Sequence, residues 1–225
     1  MGHKVNPTSF RMKVTETWKS RWFARRGLAF SANLKEDSAI REIIMKKFGK
    51  AGIVRVDVER SGPDLSVVIH STRPGMIIGK GGGSVEDLKK EIKPILQKPR
   101  DVKVTVEESK HYNLEAAVWA ATLAEQIEKR MSFRRIMKNS LEQIMDAGAA
   151  GAKVAISGRL GGADIARTEW LYKGKLPLHT LRANIDFARH TAFTTYGTVG
   201  IKVWINRGEV FENQSSNIKN KNDNS

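Results

Sequence analysis

A glycine-rich run between two helical patterns constrains the fold of this chain more than any other feature. It reads Ile77-Ile78-Gly79-Lys80-Gly81-Gly82-Gly83-Ser84. The run does not fit a Walker A phosphate loop, because Gly75 and Gly79 enclose only three residues and Gly81 follows Lys80. It does not fit a dinucleotide-binding fingerprint, since Ser84 stands where the third glycine belongs and no strand precedes it. The pattern that remains is a Gly-x-x-Gly loop between two helices.

The residues around this loop predict a unit with the order α-β-β-α-α-β. Apolar residues recur every four positions behind the polar pair Asp37-Ser38, which predicts a first helix that ends at Gly49. The spacing then changes to two over 54–58 and again over 65–69, which predicts a hairpin. A capping pattern at Ser84 predicts the start of the helix after the loop, and alternating valines predict a last strand over 102–106.

On residues 39–107 this order resembles a type II KH domain, an RNA-binding unit. Its loop glycines let a phosphodiester chain come close, and the free N–H groups of the next helix face the phosphates. RNA contacts are therefore expected at Gly79, Lys80, Gly81 and Gly82. Because Gly81 stands where the family loop is often basic, the loop offers one cation and is expected to be a weak independent RNA site. The alternative is a glycine-rich linker between helices with no ligand.

The chain carries a large excess of positive charge. Its 225 residues include 39 Lys and Arg against 24 Asp and Glu, a formal net charge of +15, which points to a polyanionic partner. No run approaches the roughly 18 apolar residues of a membrane span. Cysteine is absent, which excludes disulfides, cysteine-based metal sites and thiol catalysis. Residues 1–38 are interpreted as a basic arm that lies along RNA, with expected contacts at Lys4, Arg11 and Arg21.

The second half of the chain predicts another α+β domain, over residues 108–207. Two helical patterns follow one another from Asn113 and end near Gly148. Four β segments come next, at 152–157, 163–172, 181–187 and 198–205. They indicate an antiparallel four-stranded sheet with the two helices on one face. Residues 208–225 are polar and low in complexity, and are predicted to be a disordered tail.

The second of these helices carries a cluster of cations. From Lys129 to Lys138 the sequence holds five cations and no acid. Arg134, Arg135 and Lys138 fall within about one helical turn, so their charges converge on one patch. This favours phosphate binding. The alternative is an ordinary solvated helix face whose charges pair with Glu128 and Glu142.

Long strings in the chain resemble the family of bacterial-type small-subunit ribosomal protein S3 (uS3). They are SGRLGGADIARTEW over 157–170, GKLPLHTLRA over 174–183, TTYG over 194–197, FRR over 133–135 and the opening GHKVNP over 2–7. The likeness extends from residue 2 to about residue 207. It implies a protein of the small-subunit head that lies near ribosomal proteins S10 and S14 and lines the tunnel through which mRNA enters.

The resemblance also implies residue roles. Arg134, Arg135 and Lys138 match the positions that grip incoming mRNA and assist its unwinding. The N-terminal arm and the second domain are expected to bind small-subunit rRNA, the latter through Arg159, Arg167 and Arg182. The expected location is the ribosome of the cytoplasm, with an organellar ribosome as the alternative.

Two other functional classes are compatible with a basic chain of this length. An enzyme is not expected, because no nucleophile elbow, nucleotide loop or histidine-rich metal spacing is present in the sequence, and neither a cofactor nor a metal is predicted. A free-standing KH regulator of RNA is the alternative to a ribosomal protein. Such regulators usually contain further KH copies, and no second Gly-x-x-Gly loop flanked by helices appears in the sequence.

Overall fold

The computed structural model describes residues 4–24, 27–62, 64–96 and 101–211. The chain divides into two compact units. One runs from Trp18 to Tyr112, and the other joins the residues up to Thr17 with those from Asn113 onward. The predicted α+β class is confirmed in both units. The predicted arm of residues 1–38 is not a separate segment, because its described residues are shared between the two units.

The first unit has the predicted α-β-β-α-α-β order, with one short strand before it. Its elements are β1 (Ser20–Arg21), α2 (Leu28–Phe48), β2 (Ile53–Ser61), β3 (Asp64–Ser71), α3 (Pro74–Ile78), α4 (Gly83–Ile92) and β4 (Val102–Glu108). The sheet order is β1-β2-β3-β4. The β2–β3 hairpin is antiparallel, whereas β4 lies parallel to β3. The apolar faces of α2 and α4 pack on alternate residues of the hairpin to form the core.

Helix α2 begins at Leu28, well before the predicted start at Asp37-Ser38. Asp37 is fully buried inside this helix, where its carboxylate pairs with the guanidinium of Arg60. The same carboxylate accepts hydrogen bonds from Ser20 Oγ at 2.9 Å and Trp22 Nε1 at 2.8 Å. The prediction was wrong because an acid taken for a polar helix start is instead the centre of a buried polar network.

The second unit is a four-stranded antiparallel sheet with two long helices on one face. Its elements are α1 (Pro7–Phe10), α5 (Ala116–Glu128), α6 (Phe133–Asp146), β5 (Gly151–Gly158), β6 (Arg167–Gly174), β7 (Ala183–Thr194) and β8 (Gly197–Glu209). The strand order is β6-β5-β8-β7, and every neighbouring pair is antiparallel. Alternate strand residues such as Val154, Ile156 and Val203 are buried against α5 and α6.

Three strands differ from the prediction by several residues. Strand β7, predicted to end at residue 187, continues to Thr194. Strand β6 begins at Arg167 rather than at residue 163, because a 3-10 turn at residues 160–162, in which Gly161 has a φ of 67°, is followed by irregular backbone with bends at residues 164 and 165. Strand β8 continues to Glu209, inside the segment predicted to be a disordered tail. The remainder of that tail, residues 212–225, lies outside the described residues.

Candidate nucleic-acid interface

The Gly-x-x-Gly loop joins α3 to α4 through a short 3-10 turn. Gly79, Gly81 and Gly82 have φ values of 69°, 60° and 81°, a region that side chains with a Cβ disfavour. A Cβ on Gly79 would also collide with Ser84 Oγ. The helix cap predicted at Ser84 is wrong: α4 begins at Gly83, with Gly82 in the capping position and no side-chain hydrogen bond there. Ser84 instead packs against the loop backbone.

The loop is open on the side that a phosphodiester chain would approach. A Cβ built on Gly81 or Gly82 would meet no heavy atom within 4 Å. Lys80 is exposed, and within the described residues it makes no ion pair or hydrogen bond. The loop therefore combines close backbone access with a single cation, which is consistent with a weak phosphate-binding site.

Gly82→Asp should weaken RNA binding about threefold without unfolding the protein, because the new carboxylate repels phosphate. Gly82→Asn is the matched control, since Asn has the same size and tolerates the same left-handed backbone without a charge. Affinity for small-subunit rRNA, measured by filter binding, gives the comparison. Equal losses for Asp and Asn would show that the loop does not face phosphate, and a complete loss for Asp alone would show that the loop is a major site.

Helix α6 presents its cations away from the core. Ile136, Met137 and Leu141 are buried against the sheet, so Arg134, Arg135 and Lys138 are left exposed on the other side of the helix. These three residues are called the α6 cluster below. Within the described part of the chain, neither Arg135 nor Lys138 makes an ion pair or a hydrogen bond.

Arg134 differs from the other two residues because Glu169 of β6 binds it. Arg134 Nε and a terminal nitrogen each donate to a Glu169 carboxylate oxygen at 3.2 Å, and Arg167 Nε donates to the same carboxylate at 2.9 Å. The hydrogen bonds from Arg134 hold the pKa of Glu169 below its ordinary value, with a smaller contribution from Arg167. The packing of α6 on β6 thus brings Arg167 to the edge of the α6 cluster, an arrangement that sequence reasoning missed.

The acids proposed as partners of this helix face do not neutralise it. Glu128 accepts a hydrogen bond from the backbone N–H of Phe193 at 3.0 Å. Lys129 pairs with Glu125 at 2.7 Å, and Arg134 pairs with Glu169 at 3.2 Å. Arg135 and Lys138 have no acid partner among the described residues, and phosphate binding by this helix face stays a prediction.

The remaining predicted RNA contacts come from both units. Lys4 is exposed, Arg21 pairs with Glu59 at 2.9 Å, and Arg182 pairs with Glu209 at 2.5 Å. Arg159 donates to the carbonyl oxygens of Ala163 and Tyr196 and to Asp164, so it fixes the turn after β5. These arginines keep exposed surface; Arg21 belongs to the first unit, whereas Arg159 and Arg182 belong to the second.

The prediction that Arg11 contacts RNA is not supported by its position. Arg11 is fully buried in the second unit, and its guanidinium donates to five backbone carbonyl oxygens, those of Pro7, Pro177, Leu178, Thr180 and Ala183. Burial lowers the pKa of this guanidinium below its ordinary value. Arg11 therefore holds the start of the chain against the segment that leads into β7.

Two further properties bear on the kind of site present. In the part of the chain that the structure describes, no helix is both long and apolar enough to cross a membrane. Among the same residues, no group of three or more histidine, aspartate or glutamate side chains is arranged to hold a metal ion.

A KH unit with an open glycine loop and a second α+β unit with an exposed cation cluster define an RNA-binding protein. The family described as "KH domain" matches residues 39–112, and "Ribosomal protein S3, C-terminal domain" matches residues 123–205. Among curated proteins, small ribosomal subunit protein uS3 of Coxiella burnetii is 45% identical over 210 residues, which are 93% of this chain and 91% of the relative.

Two more relatives carry the same name. The uS3 protein of Syntrophomonas wolfei is 48% identical over 210 residues, covering 93% of this chain and 91% of that protein. The uS3 protein of Xanthomonas oryzae is 46% identical over 212 residues, covering 94% of this chain and 86% of that protein. The chain belongs to the family of the small-subunit ribosomal protein uS3, a structural family of RNA-binding ribosomal proteins.

Proposed function

We propose that this protein is a structural constituent of the small ribosomal subunit that binds rRNA and contacts mRNA at the tunnel where the message enters. Membership of the uS3 family supports the ribosomal role. The net charge of +15 supports a polyanionic partner. We further propose a location in the ribosome of the cytoplasm, in the subunit head beside ribosomal proteins S10 and S14.

The α6 cluster is the observation that carries the mRNA part of the proposal. Arg135 and Lys138 are exposed without partners in the described residues, while Glu169 holds Arg134 and Arg167 beside them. Such a cluster attracts phosphates without reading bases. It would hold a single strand as the ribosome pulls the message forward, which disfavours re-pairing of a hairpin. The energy for strand separation then comes from the moving ribosome, so this mechanism requires no nucleotide site in the protein.

Replacing Arg134, Arg135 and Lys138 together with alanine should slow translation through a stable mRNA hairpin several-fold and leave an unstructured message nearly unaffected. Because these side chains are exposed, the stability of the fold should change by less than about 1 kcal/mol. Reconstituted subunits that carry the variant are assayed by single-turnover elongation on messages that differ only in the hairpin.

A second triple variant removes the same charge elsewhere. Lys35, Lys46 and Lys103 are exposed in the first unit, and their replacement by alanine should slow neither message selectively. If the α6 variant fails to enter subunits, its cations bind rRNA rather than mRNA. Equal slowing of structured and unstructured messages would also contradict the proposed role.

A further inference from the structure

The sheet of the second unit has a second face that α5 and α6 do not cover. In the strand pairing, its residues form three rows across β6, β5, β8 and β7. The rows are Tyr172, Lys153, Trp204 and Phe187; then Trp170, Ala155, Lys202 and Arg189; then Thr168, Ser157, Gly200 and Thr191. These residues alternate with the buried ones that pack on the helices, so they share the opposite face. They are called the open sheet face below.

The aromatic residues of the open sheet face are organised around one lysine. Trp170 and Tyr172 have ring centroids 5.7 Å apart, and Phe187 and Trp204 have centroids 5.2 Å apart. The Nζ atom of Lys153 lies 4.6 Å from the ring centroid of Trp170 and 5.7 Å from that of Trp204. The lysine thus joins two aromatic pairs through cation–π contacts, which holds the rings in a fixed arrangement.

Half of this aromatic surface is open to solvent. Trp170 is 53% exposed and Tyr172 is 64% exposed, although both are large side chains that favour burial. Beside Trp170, the row of Thr168, Ser157, Gly200 and Thr191 consists of small residues. Because their side chains are short, a flat group has room to lie over this row and to contact the neighbouring aromatic rings.

The positive charge of the open sheet face indicates the chemical class of its binding partner. Its twelve residues include three cations (Lys153, Lys202 and Arg189) and no acid. Lys4 adds a fourth positive charge nearby. Burial is the main cause that lowers the pKa of Lys153, and repulsion from the charge of Lys4 is the second cause. Aromatic residues are also enriched at protein interfaces, but lysine is depleted there, and two of these three cations are lysines. Flat apolar rings combined with unopposed cations suit a strand that carries both bases and phosphates.

We propose that the open sheet face binds single-stranded RNA, with bases stacked on Trp170 and Tyr172 and phosphates held by Lys202 and Arg189. The inference rests on the RNA-binding role proposed above and adds a surface of different chemistry. Glu169, which binds the α6 cluster, alternates with Trp170 along β6, so the two surfaces lie on opposite sides of the sheet. The cluster attracts phosphates alone, whereas this face also recognises unpaired bases.

Trp170→Leu in the full-length protein tests the proposal, because leucine keeps an apolar side chain but removes the stacking surface. Binding of a 12-nucleotide oligoadenylate should weaken about tenfold, the loss expected for one stacked base. Binding of a 12-base-pair RNA duplex should be unchanged, because paired bases are not available to stack, and this measurement also reports an intact fold. Trp170→Phe should restore most of the affinity for the oligoadenylate.

Tyr112→Leu is the matched control, because Tyr112 is similarly exposed, at 48%, but belongs to the first unit. It should bind both RNAs as the wild type does. Equal oligoadenylate affinity for Trp170→Leu and the wild type would overturn the proposal. If that variant binds RNA normally but fails to enter reconstituted subunits, the face docks a protein instead, and the proposal is again wrong. Failure of the wild-type protein to enter subunits would instead refute the proposed ribosomal function.

Discussion

Arg11→Met should lower the free energy of unfolding of the second unit by about 3 kcal/mol. Methionine fills much of the same volume but donates no hydrogen bond, so the carbonyl oxygens that Arg11 binds lose a charged donor in a buried position. Urea unfolding followed by circular dichroism measures the loss. Limited proteolysis should show new cleavage within residues 4–17, because the guanidinium attaches this segment to the sheet unit.

Arg182→Met is the control for that experiment. Arg182 lies in the same unit, but its side chain is exposed and its ion pair with Glu209 is at the surface. Surface pairs of this kind contribute less than about 1 kcal/mol, so this variant should unfold almost as the wild type does. If the two variants lose similar stability, the hydrogen bonds of Arg11 contribute little, and the start of the chain is attached mainly by apolar contacts.

Asp37→Ala should destabilise the first unit by about 3–5 kcal/mol, the range found when one partner of a buried ion pair is removed. Asp37 is fully buried, and so is almost all of the Arg60 side chain, at 4% exposed. The substitution takes one carboxylate from Arg60 and removes the acceptor of Ser20 and Trp22. Glu36 still pairs with Arg60 at 2.6 Å, which limits the loss.

Asp87→Ala provides the comparison for Asp37. Asp87 pairs with Lys90 on the surface of α4, where its side chain is 61% exposed, so its removal should cost less than about 0.5 kcal/mol. Both variants are measured by urea unfolding. The summed fluorescence of the five tryptophans should shift to longer wavelength in Asp37→Ala, because the Trp22 indole loses its hydrogen bond and gains water. A loss below about 1 kcal/mol for Asp37→Ala would show that the buried network relaxes around the substitution.

Apolar spacing predicts most of the fold because it depends on residues close together in sequence. The hairpin at 53–71 and the helix pair around the glycine loop follow from spacings of two and four. The start of α2 cannot be predicted in this way. Asp37 lies inside the helix because it pairs with Arg60 of β2, and only tertiary folding brings these two residues together. The sequence shows that a residue is charged, but whether that residue is buried depends on the tertiary fold.

In the candidate sites, too, local spacing can be predicted from the sequence, whereas contacts between distant elements cannot. The α6 cluster is predictable because its members are separated by intervals that one helical turn brings together. The pairing of Glu169 with Arg134 is not, since these residues come from different elements and meet only when α6 packs on the sheet. The open sheet face was missed for a related reason: Lys153, Trp170 and Trp204 lie on three strands and become neighbours only through the register of the sheet.

The position of Arg11 has a consequence for how the chain is made. The carbonyl oxygen of Ala183 that accepts its hydrogen bond belongs to a residue 172 positions later. At about 5–20 residues per second, a ribosome needs roughly 10–35 s to synthesise that interval. The first unit can complete its core within this time. The segment before Trp18 cannot yet be attached, because the residues that it contacts in the second unit have not been made. Residues 4–17 are therefore fixed only after most of the second unit has been made, and until then this basic segment, with Lys4, Arg11 and Lys13 against Glu16, is accessible to nucleic acids.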